Sequence, residues 1–359
     1  MDVMAPQLMW IGTRCYRVNQ TSLDFVCEQP GEESKPYVEE DLYEEDDREL
    51  DYDIQQIEGG KLQTSFHVPS AFFSIIIGNK GTTRRRIEAE TKTQIVVPKQ
   101  GTEGDVVVKG TSAKAVTACR QRIELIVLAA RNKQHFTHFL SIPMTSDEIK
   151  SNYIKFREKV LTELPSGFHL DESLFQKPEK LHLTLCMMSL MDNVDRAHAA
   201  QLLQDCRESI IKITLAEFGP IEVHLRGLAY MNDDPSSVDV LYAKVESEPL
   251  QRIADQLMEY FIANGLIKRE YDHVKLHATL INSTFGRHKA HSSGDEAGGD
   301  DKKHHRHQRH RRERFDATEI LREFGDFDFG VQTVTEIHLS QRFSTACNGF
   351  YEATGMIKL

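Results

Sequence analysis

Hydrophobic and polar positions between residues 59 and 131 switch repeatedly from the period of a strand to the period of a helix. The pattern predicts six elements in the order β-α-α-β-β-α: strands near 64–68, 94–97 and 105–109, and helices near 71–77, 82–91 and 112–131. A Gly-x-x-Gly loop, from Gly78 to Gly81, joins the first two helices. These residues are therefore expected to form one compact unit.

From residue 135 onward the pattern predicts an α+β fold. Helical spacing recurs over 146–161, 194–211 and 250–264, and strand-like alternation over 137–142, 221–228, 238–245 and 335–340. Two hexapeptides, KLHLTL at 180–185 and KLHATL at 275–280, each follow a helix and alternate as half-buried strands do. The repeat predicts two lobes that face each other across a cleft.

Three segments lack the composition of a packed domain. Residues 1–23 contain one possible short strand, near 7–18. Residues 24–58 hold 15 acidic and 2 basic residues, which predicts a disordered acidic linker or, alternatively, a docking tail that mimics nucleic acid or binds a partner. An insert at 287–314, ending in a run of Lys, His and Arg, is expected to be a disordered loop; a nuclear import or RNA-contacting segment and a metal site are the alternatives.

The acidic segment changes how the charge of the chain is interpreted. The whole chain carries −11 at pH 7, but residues 24–58 account for more than that, so the remainder is slightly basic and nucleic acid is not excluded as a partner. The six cysteines show no metal-binding spacing, which is typical of reduced thiols in the cytosol or nucleus. No apolar run approaches the roughly 20 residues that span a bilayer, so no membrane partner is expected.

The two hexapeptides carry the strongest candidate chemistry. Alternation places His182 and Thr184 on one face of the first strand, and His277 and Thr279 on one face of the second. Because an imidazole exchanges protons near neutral pH, two of them can act on one phosphate as base and acid. The threonines would bind the phosphate oxygens. The sequence does not determine which histidine takes which role.

Other interpretations of these residues remain open. A histidine on one strand is usually structural, so the catalytic interpretation depends on the second copy. His338, within His-Leu-Ser on the strand predicted at 335–340, is an alternative partner or a decoy. Alternation would also place Lys180 and Lys275 on the catalytic face, although lysines at strand ends are more often simply exposed.

The unit at 59–131 resembles a KH domain of the eukaryotic type, because its Gly-x-x-Gly loop joins two helices within the β-α-α-β-β-α order. The resemblance implies that single-stranded RNA binds at this loop, where glycines let the RNA backbone approach closely and the following helix favours phosphate. The isoleucines would line a groove for bases, whereas the arginines are alternatively a solvated helix face. The RNA-binding residues so implied are Ile77, Gly78, Asn79, Lys80, Gly81, Arg84, Arg85, Ile87 and Ile95.

The paired His-x-Thr strands, 95 residues apart, resemble the two-histidine phosphoesterase superfamily over about 135–359. The resemblance implies a bilobal domain that cleaves RNA phosphodiesters or 2′,3′-cyclic phosphate ends, with no metal or other cofactor. His182, Thr184, His277 and Thr279 would be its catalytic residues.

A KH unit placed before such a domain resembles, more narrowly, a family of subunits of a nuclear transcription coactivator and DNA alkylation-repair complex. Stretches 137–140 (THFL), 230–235 (YMNDDP) and 240–245 (VLYAKV) support this closer match. The resemblance implies a nuclear location, with a helicase subunit and other complex members as partners. Two functions therefore remain open: an RNA phosphodiesterase, or an RNA-binding adaptor whose phosphoesterase face binds phosphate without turnover.

Overall fold

The computed structural model describes residues 52–99, 104–164, 170–285 and 314–359, together with two short strands near the N-terminus. These are β1 (Leu8–Ile11) and β2 (Arg14–Arg17), which pair antiparallel. The single strand predicted over 7–18 is therefore two strands, because pairing satisfies backbone groups that a lone strand would leave open. The rest of the acidic segment up to residue 51, and residues 287–313 of the His- and Arg-rich insert, lie outside the described residues.

The KH-like unit forms the predicted element order with one additional strand at its start. Its antiparallel sheet has the strand order β3-β4-β6-β5. Its elements are β3 (Gln55–Ile57), β4 (Lys61–Phe66), α1 (Phe73–Ile77), α2 (Thr82–Thr91), β5 (Gln94–Val96), β6 (Val106–Gly110) and α3 (Ala113–Arg131).

One hydrophobic core holds this unit together. Val106 and Val108, which alternate along β6, are fully buried against Val116 and Ile123 on the inner face of α3. The Ser112 hydroxyl accepts a hydrogen bond from the main-chain nitrogen of Ala115 and so caps α3.

The unit begins earlier than the sequence predicts. Residues 52–58, predicted as the end of the acidic linker, contribute β3, which pairs with β4. The Tyr52 hydroxyl donates to Glu124 Oε2 at 2.7 Å, and the Arg120 guanidinium lies 4.0 Å from the centre of the Tyr52 ring. The sequence did not indicate these contacts. The stretch is acidic, as in a linker, and its partners lie far along the chain.

The second unit confirms the α+β fold class. Its elements are β7 (His138–Pro143), α4 (Asp147–Thr162), β8 (His182–Met188), α5 (Asn193–Cys206), α6 (Lys212–Phe218), β9 (Glu222–Tyr230), β10 (Val240–Glu246), α7 (Glu248–Ala263), β11 (His277–Asn282), α8 (Thr318–Phe324), β12 (Asp328–Thr333), β13 (Glu336–Thr345) and β14 (Tyr351–Lys358).

The two lobes are the halves of one eight-stranded antiparallel sheet with the order β12-β9-β10-β11-β8-β7-β13-β14. The halves join where β11 pairs with β8, with Ala278 opposite Leu183. One face of the sheet packs on apolar side chains of α4, α5 and α7, including Tyr153, Leu203 and Phe261, and forms the core. The opposite face carries both His-x-Thr pairs.

The helix predicted over 194–211 is more elaborate. It is interrupted by a π-helical turn, Arg207–Ile211, and then continues as α6. Strands β12 and β14 were not predicted, since Gly330 and Gly355 weaken their alternation of apolar and polar residues.

The two α/β units contact each other through the end of α3. Arg131 Nη1 donates to Asp195 Oδ2 at 2.6 Å and to the main-chain oxygen of Ser189 at 2.7 Å, while Nη2 donates to Asp195 Oδ1 at 3.1 Å. The two charged side chains are only 8% and 7% exposed. Nearby, His67 Nε2 lies 2.9 Å from Asp192 Oδ2. The interface thus contains a buried, two-pronged ion pair.

In the part of the chain that the structure describes, none of the helices has both the length and the apolar character needed to traverse a bilayer.

Candidate active site and nucleic-acid interface

The pairing of β8 with β11 brings the four predicted catalytic residues to one face. Leu183 and Ala278 are opposite each other and fully buried on the core side. One step along each strand, the register places His182 opposite Thr279, and His277 opposite Thr184. All four are half-buried on the other side, which we call the histidine face.

Both imidazoles are held by the same hydrogen bond. His182 Nδ1 lies 2.7 Å from the main-chain oxygen of Lys180, and His277 Nδ1 lies 2.7 Å from that of Lys275. A carbonyl oxygen can only accept, so Nδ1 carries the proton in each ring and Nε2 is left for another partner. The two histidines therefore present equivalent Nε2 atoms.

Aromatic rings surround the histidines unequally. His182 contacts Phe139 and Tyr351, each with ring centres 5.2 Å apart, and Phe350 at 6.4 Å. His277 has Tyr242 edge-on at 5.2 Å. The sequence pattern did not identify these aromatic neighbours, because they come from β7, β10 and the β13–β14 hairpin.

Burial favours the neutral form of both imidazoles. It is the largest cause that lowers the pKa of His182 to about 4, and the proximity of His277 and Lys180 lowers it further, against the opposing effect of the Lys180 carbonyl. Burial also lowers the pKa of His277, with a smaller contribution from Lys275. A phosphate anion between the rings would raise both pKa values.

Each histidine has a lysine two residues before it. Lys180 Nζ lies 4.4 Å from the centre of the Tyr351 ring and donates to Thr345 Oγ1 at 2.8 Å. Lys275 Nζ lies 5.1 Å from the centre of the Tyr242 ring. The same two tyrosines contact the histidines, so both lysines lie beside the histidine face.

His338 lies two strands away from His182. It pairs with Ser141 on β7, which in turn pairs with Thr184. Its ring is buried, 5.7 Å from Phe350, and its Nε2 is 2.9 Å from Glu336 Oε1. His277 lies on β11, which is directly adjacent to β8, so His277 and not His338 is the neighbour of His182 across the strands.

The Gly-x-x-Gly loop lies at the surface between α1 and α2. Asn79 and Lys80 are exposed at its tip. Gly78 and Gly81 both have positive φ, +72° and +79°, conformations that favour glycine. Arg85 is exposed near the start of α2. Arg84 is half-buried, and its Nε lies 3.9 Å from Glu88 Oε2.

Two isoleucines predicted to line a base-binding groove are located elsewhere. Ile87 and Ile95 are 2% and 3% exposed in the core of the KH-like unit, because helical spacing and strand alternation turn them inward. Ile77 is half-buried near the loop. Val96, on the edge strand β5, is exposed, and the prediction did not include it. The alternation in β5 would have indicated it, since Ile95 points inward.

One cluster has the residue types that bind metal ions. His67, Asp192 and Asp195 each offer a ligand atom, and these atoms lie within 4.8 Å of one another. Both oxygens of Asp195 already accept hydrogen bonds from Arg131. The cluster is therefore explained as part of the interface between the two units.

Two protein families and one relative match this chain in agreement with the architecture. The family described as "AKAP7 2'5' RNA ligase-like domain" matches residues 136–359, and the KH domain family matches residues 63–125. Activating signal cointegrator 1 complex subunit 1 from Mus musculus is 34% identical over 368 aligned positions, and the match covers 99% of this chain and 99% of that protein. A chain of the a/eIF2alpha-aDim2p-rRNA complex from Pyrococcus horikoshii OT3 is 22% identical over 29% of this chain and 62% of that one, with a TM-score of 0.18.

The fold and site define a KH domain followed by a two-histidine phosphoesterase-like domain. The identity over nearly the full length narrows the assignment further. The chain belongs to the family of activating signal cointegrator 1 complex subunit 1.

Proposed function

We propose that this protein is an RNA-binding phosphodiesterase that cleaves RNA phosphodiesters or opens 2′,3′-cyclic phosphate ends by acid–base catalysis without a metal. The observation that carries the proposal is the matched pair of imidazoles. His182 and His277 lie on adjacent strands, each with Nδ1 bound to a carbonyl, so that both Nε2 atoms are left for a phosphate ester.

The proposed reaction needs no group besides the two imidazoles and the two threonines. One Nε2 takes the proton of an RNA 2′-hydroxyl or of a water molecule, and the oxygen of that hydroxyl or water forms a bond to phosphorus. The bond from phosphorus to the leaving oxygen breaks, and the other imidazolium donates its Nε2 proton to that oxygen. Thr184 and Thr279 would donate hydrogen bonds to the non-bridging oxygens.

The KH domain would supply RNA affinity. Its exposed Asn79 and Lys80, between two glycines with positive φ, resemble a loop suited to the close approach of a sugar-phosphate chain. Replacing Asn79 and Lys80 by Asp should weaken single-stranded RNA binding at fixed salt, while Lys159→Asp, an exposed site on α4, should not. An unaltered dissociation constant in the loop variant would show that the Gly-x-x-Gly loop does not contribute to RNA binding.

A second function is an RNA-binding adaptor without turnover. It is favoured by the lowered pKa of both histidines, since a pair of imidazoles that are both neutral at pH 7 has no protonated member to act as the acid.

In either case we propose that the protein is a nuclear subunit of a transcription coactivator and alkylation-repair complex, with a helicase subunit among its partners. The relative from Mus musculus, which is named as a subunit of the activating signal cointegrator 1 complex, supports membership of a complex of that kind.

Purified protein in chelator, given a short RNA and a 2′,3′-cyclic nucleotide, separates these functions. The phosphodiesterase should convert at least one substrate, and His182→Ala should abolish conversion without reducing RNA binding. Tight RNA binding with no conversion of either substrate at any pH from 4 to 8 would establish the adaptor instead.

A further inference from the structure

Each histidine of the pair is accompanied by the same set of neighbours. A lysine lies two residues earlier, and a tyrosine contacts both the imidazole and the lysine ammonium: Tyr351 for His182 and Lys180, and Tyr242 for His277 and Lys275. The proposed acid–base chemistry needs the imidazoles only. The two ammonium groups are therefore available for another task.

The lysines lie beyond opposite ends of the histidine pair. Strands β8 and β11 are antiparallel, with Leu183 opposite Ala278. Lys180 precedes β8 and Lys275 precedes β11, so the chain direction places one lysine past each end of the four-residue site. Lys180 ends a short 3₁₀ helix, Pro178–Lys180, and its ammonium reaches Thr345 and Tyr351 of the β13–β14 hairpin, whereas the Lys275 ammonium lies against Tyr242 of β10. In the sheet these contacts lie on opposite sides of β8 and β11, so a ligand bound across the two histidines meets an ammonium group on each side.

Both ammonium groups retain donors for an anion. An ammonium carries three N–H donors, and Lys180 uses one of them on Thr345 Oγ1. The tyrosine rings hold each Nζ by cation–π attraction, which orients the charge without supplying an acceptor oxygen. Phosphate oxygens are suitable partners for the remaining donors.

We propose that the substrate of the histidine face is an RNA strand with phosphates on both sides of the scissile one, which bind Lys180 at one end and Lys275 at the other. This rests on the proposed function and narrows it to internal phosphodiesters. A dinucleotide has neither flanking phosphate, and a cyclic phosphate at the end of an RNA strand has one on its 5′ side only, so neither substrate can use both lysines in this way.

The test compares two substrates with one cleavable bond each. The first is a tetranucleotide whose central linkage alone has a free 2′-hydroxyl, with 2′-O-methyl groups elsewhere; the second is a dinucleotide with one phosphate. Lys180→Ala and Lys275→Ala should each lower kcat/KM for the tetranucleotide roughly tenfold. They should change the dinucleotide rate less than twofold. Lys159→Ala, at an exposed position on α4, a helix that packs against the opposite face of the sheet, should change neither.

Binding provides a readout that does not depend on turnover. A tetranucleotide fully 2′-O-methylated is titrated at several salt concentrations into protein in which the KH loop already carries Asn79→Asp and Lys80→Asp. Each lysine variant, made in that background, should reduce the slope of log K against log salt by about 0.7. Unchanged slopes, or equal losses on both substrates, would overturn the proposal. Reduced slopes without cleavage would support it and count against catalysis instead.

Discussion

Leu183 and Ala278 face each other at the junction of the two halves of the sheet, and both are fully buried. Side chains alternate along a strand, so this pairing determines which face every neighbour occupies. A slip of one residue in either strand would turn its histidine into the core. The approach of His182 to His277 is therefore a property of strand register, maintained by apolar packing on the reverse face.

The pH dependence of cleavage should reflect the lowered pKa values of the pair. Turnover needs one neutral and one protonated imidazole, and kcat/KM reports the free enzyme. Because the pKa of His182 is about 4 and that of His277 is below its usual 6.5, we expect kcat/KM to peak on the acid side of pH 6.5. The alkaline limb falls as the more basic imidazole of the coupled pair loses its proton.

Bound phosphate should move this profile. Its negative charge raises both imidazole pKa values, so the peak of kcat should lie at higher pH than the peak of kcat/KM. Measurement of both profiles across pH 4–8 checks the sign. Coincident peaks above pH 7 would contradict the electrostatic description of the site.

The ion pair between the domains should contribute strongly to stability. Arg131→Ala leaves the Asp195 carboxylate buried without its partner, a loss of about 3–5 kcal/mol in the free energy of unfolding. Arg122→Ala, which removes a surface pair with Glu90, should cost about 1 kcal/mol or less. Urea unfolding of both variants makes the comparison, and equal losses would show that the buried pair has no special role.

The two loop glycines should differ in their tolerance of a side chain. Gly78 has φ +72° and ψ 176°, a region essentially restricted to glycine, and a Cβ there would lie 2.8 Å from the main-chain nitrogen of Thr83. Gly81 has φ +79° and ψ 17°, and a Cβ would come no nearer than 3.9 Å to Arg85 Nε.

We therefore expect Gly78→Ala to weaken RNA binding and thermal stability more than Gly81→Ala does. The Gly81→Ala change should lower the free energy of unfolding by about 1–2 kcal/mol. Melting temperatures and RNA dissociation constants of the two variants provide the measurement. A more harmful change at Gly81 would contradict the loop geometry.

Local pattern predicted most of the elements and the paired motif, and missed what depends on distant residues. The order β-α-α-β-β-α, the α+β class and helix α2 followed directly from periodicity. Strand β3 and Tyr52 were concealed within acidic sequence, because their partners on β4 and α3 are far along the chain.

The surroundings of the histidines illustrate the same boundary. Spacing identified His182 and His277 as a matched pair, and could not show that Tyr351 and Tyr242 contact them, since these tyrosines lie on other strands. Ile87 and Ile95 are a different case. Their inward orientation follows from the periods of α2 and β5, and the family resemblance led to their assignment to a groove.

The most direct test of the central claim is the cleavage rate of a short RNA by His182→Ala, His277→Ala and the double variant. If the two imidazoles act on one phosphate, each single change should lower the cleavage rate roughly 10²-fold or more. The double change should lower the rate little further than either single change does. A double variant that cleaves as fast as the parent, with RNA binding intact, would contradict the account.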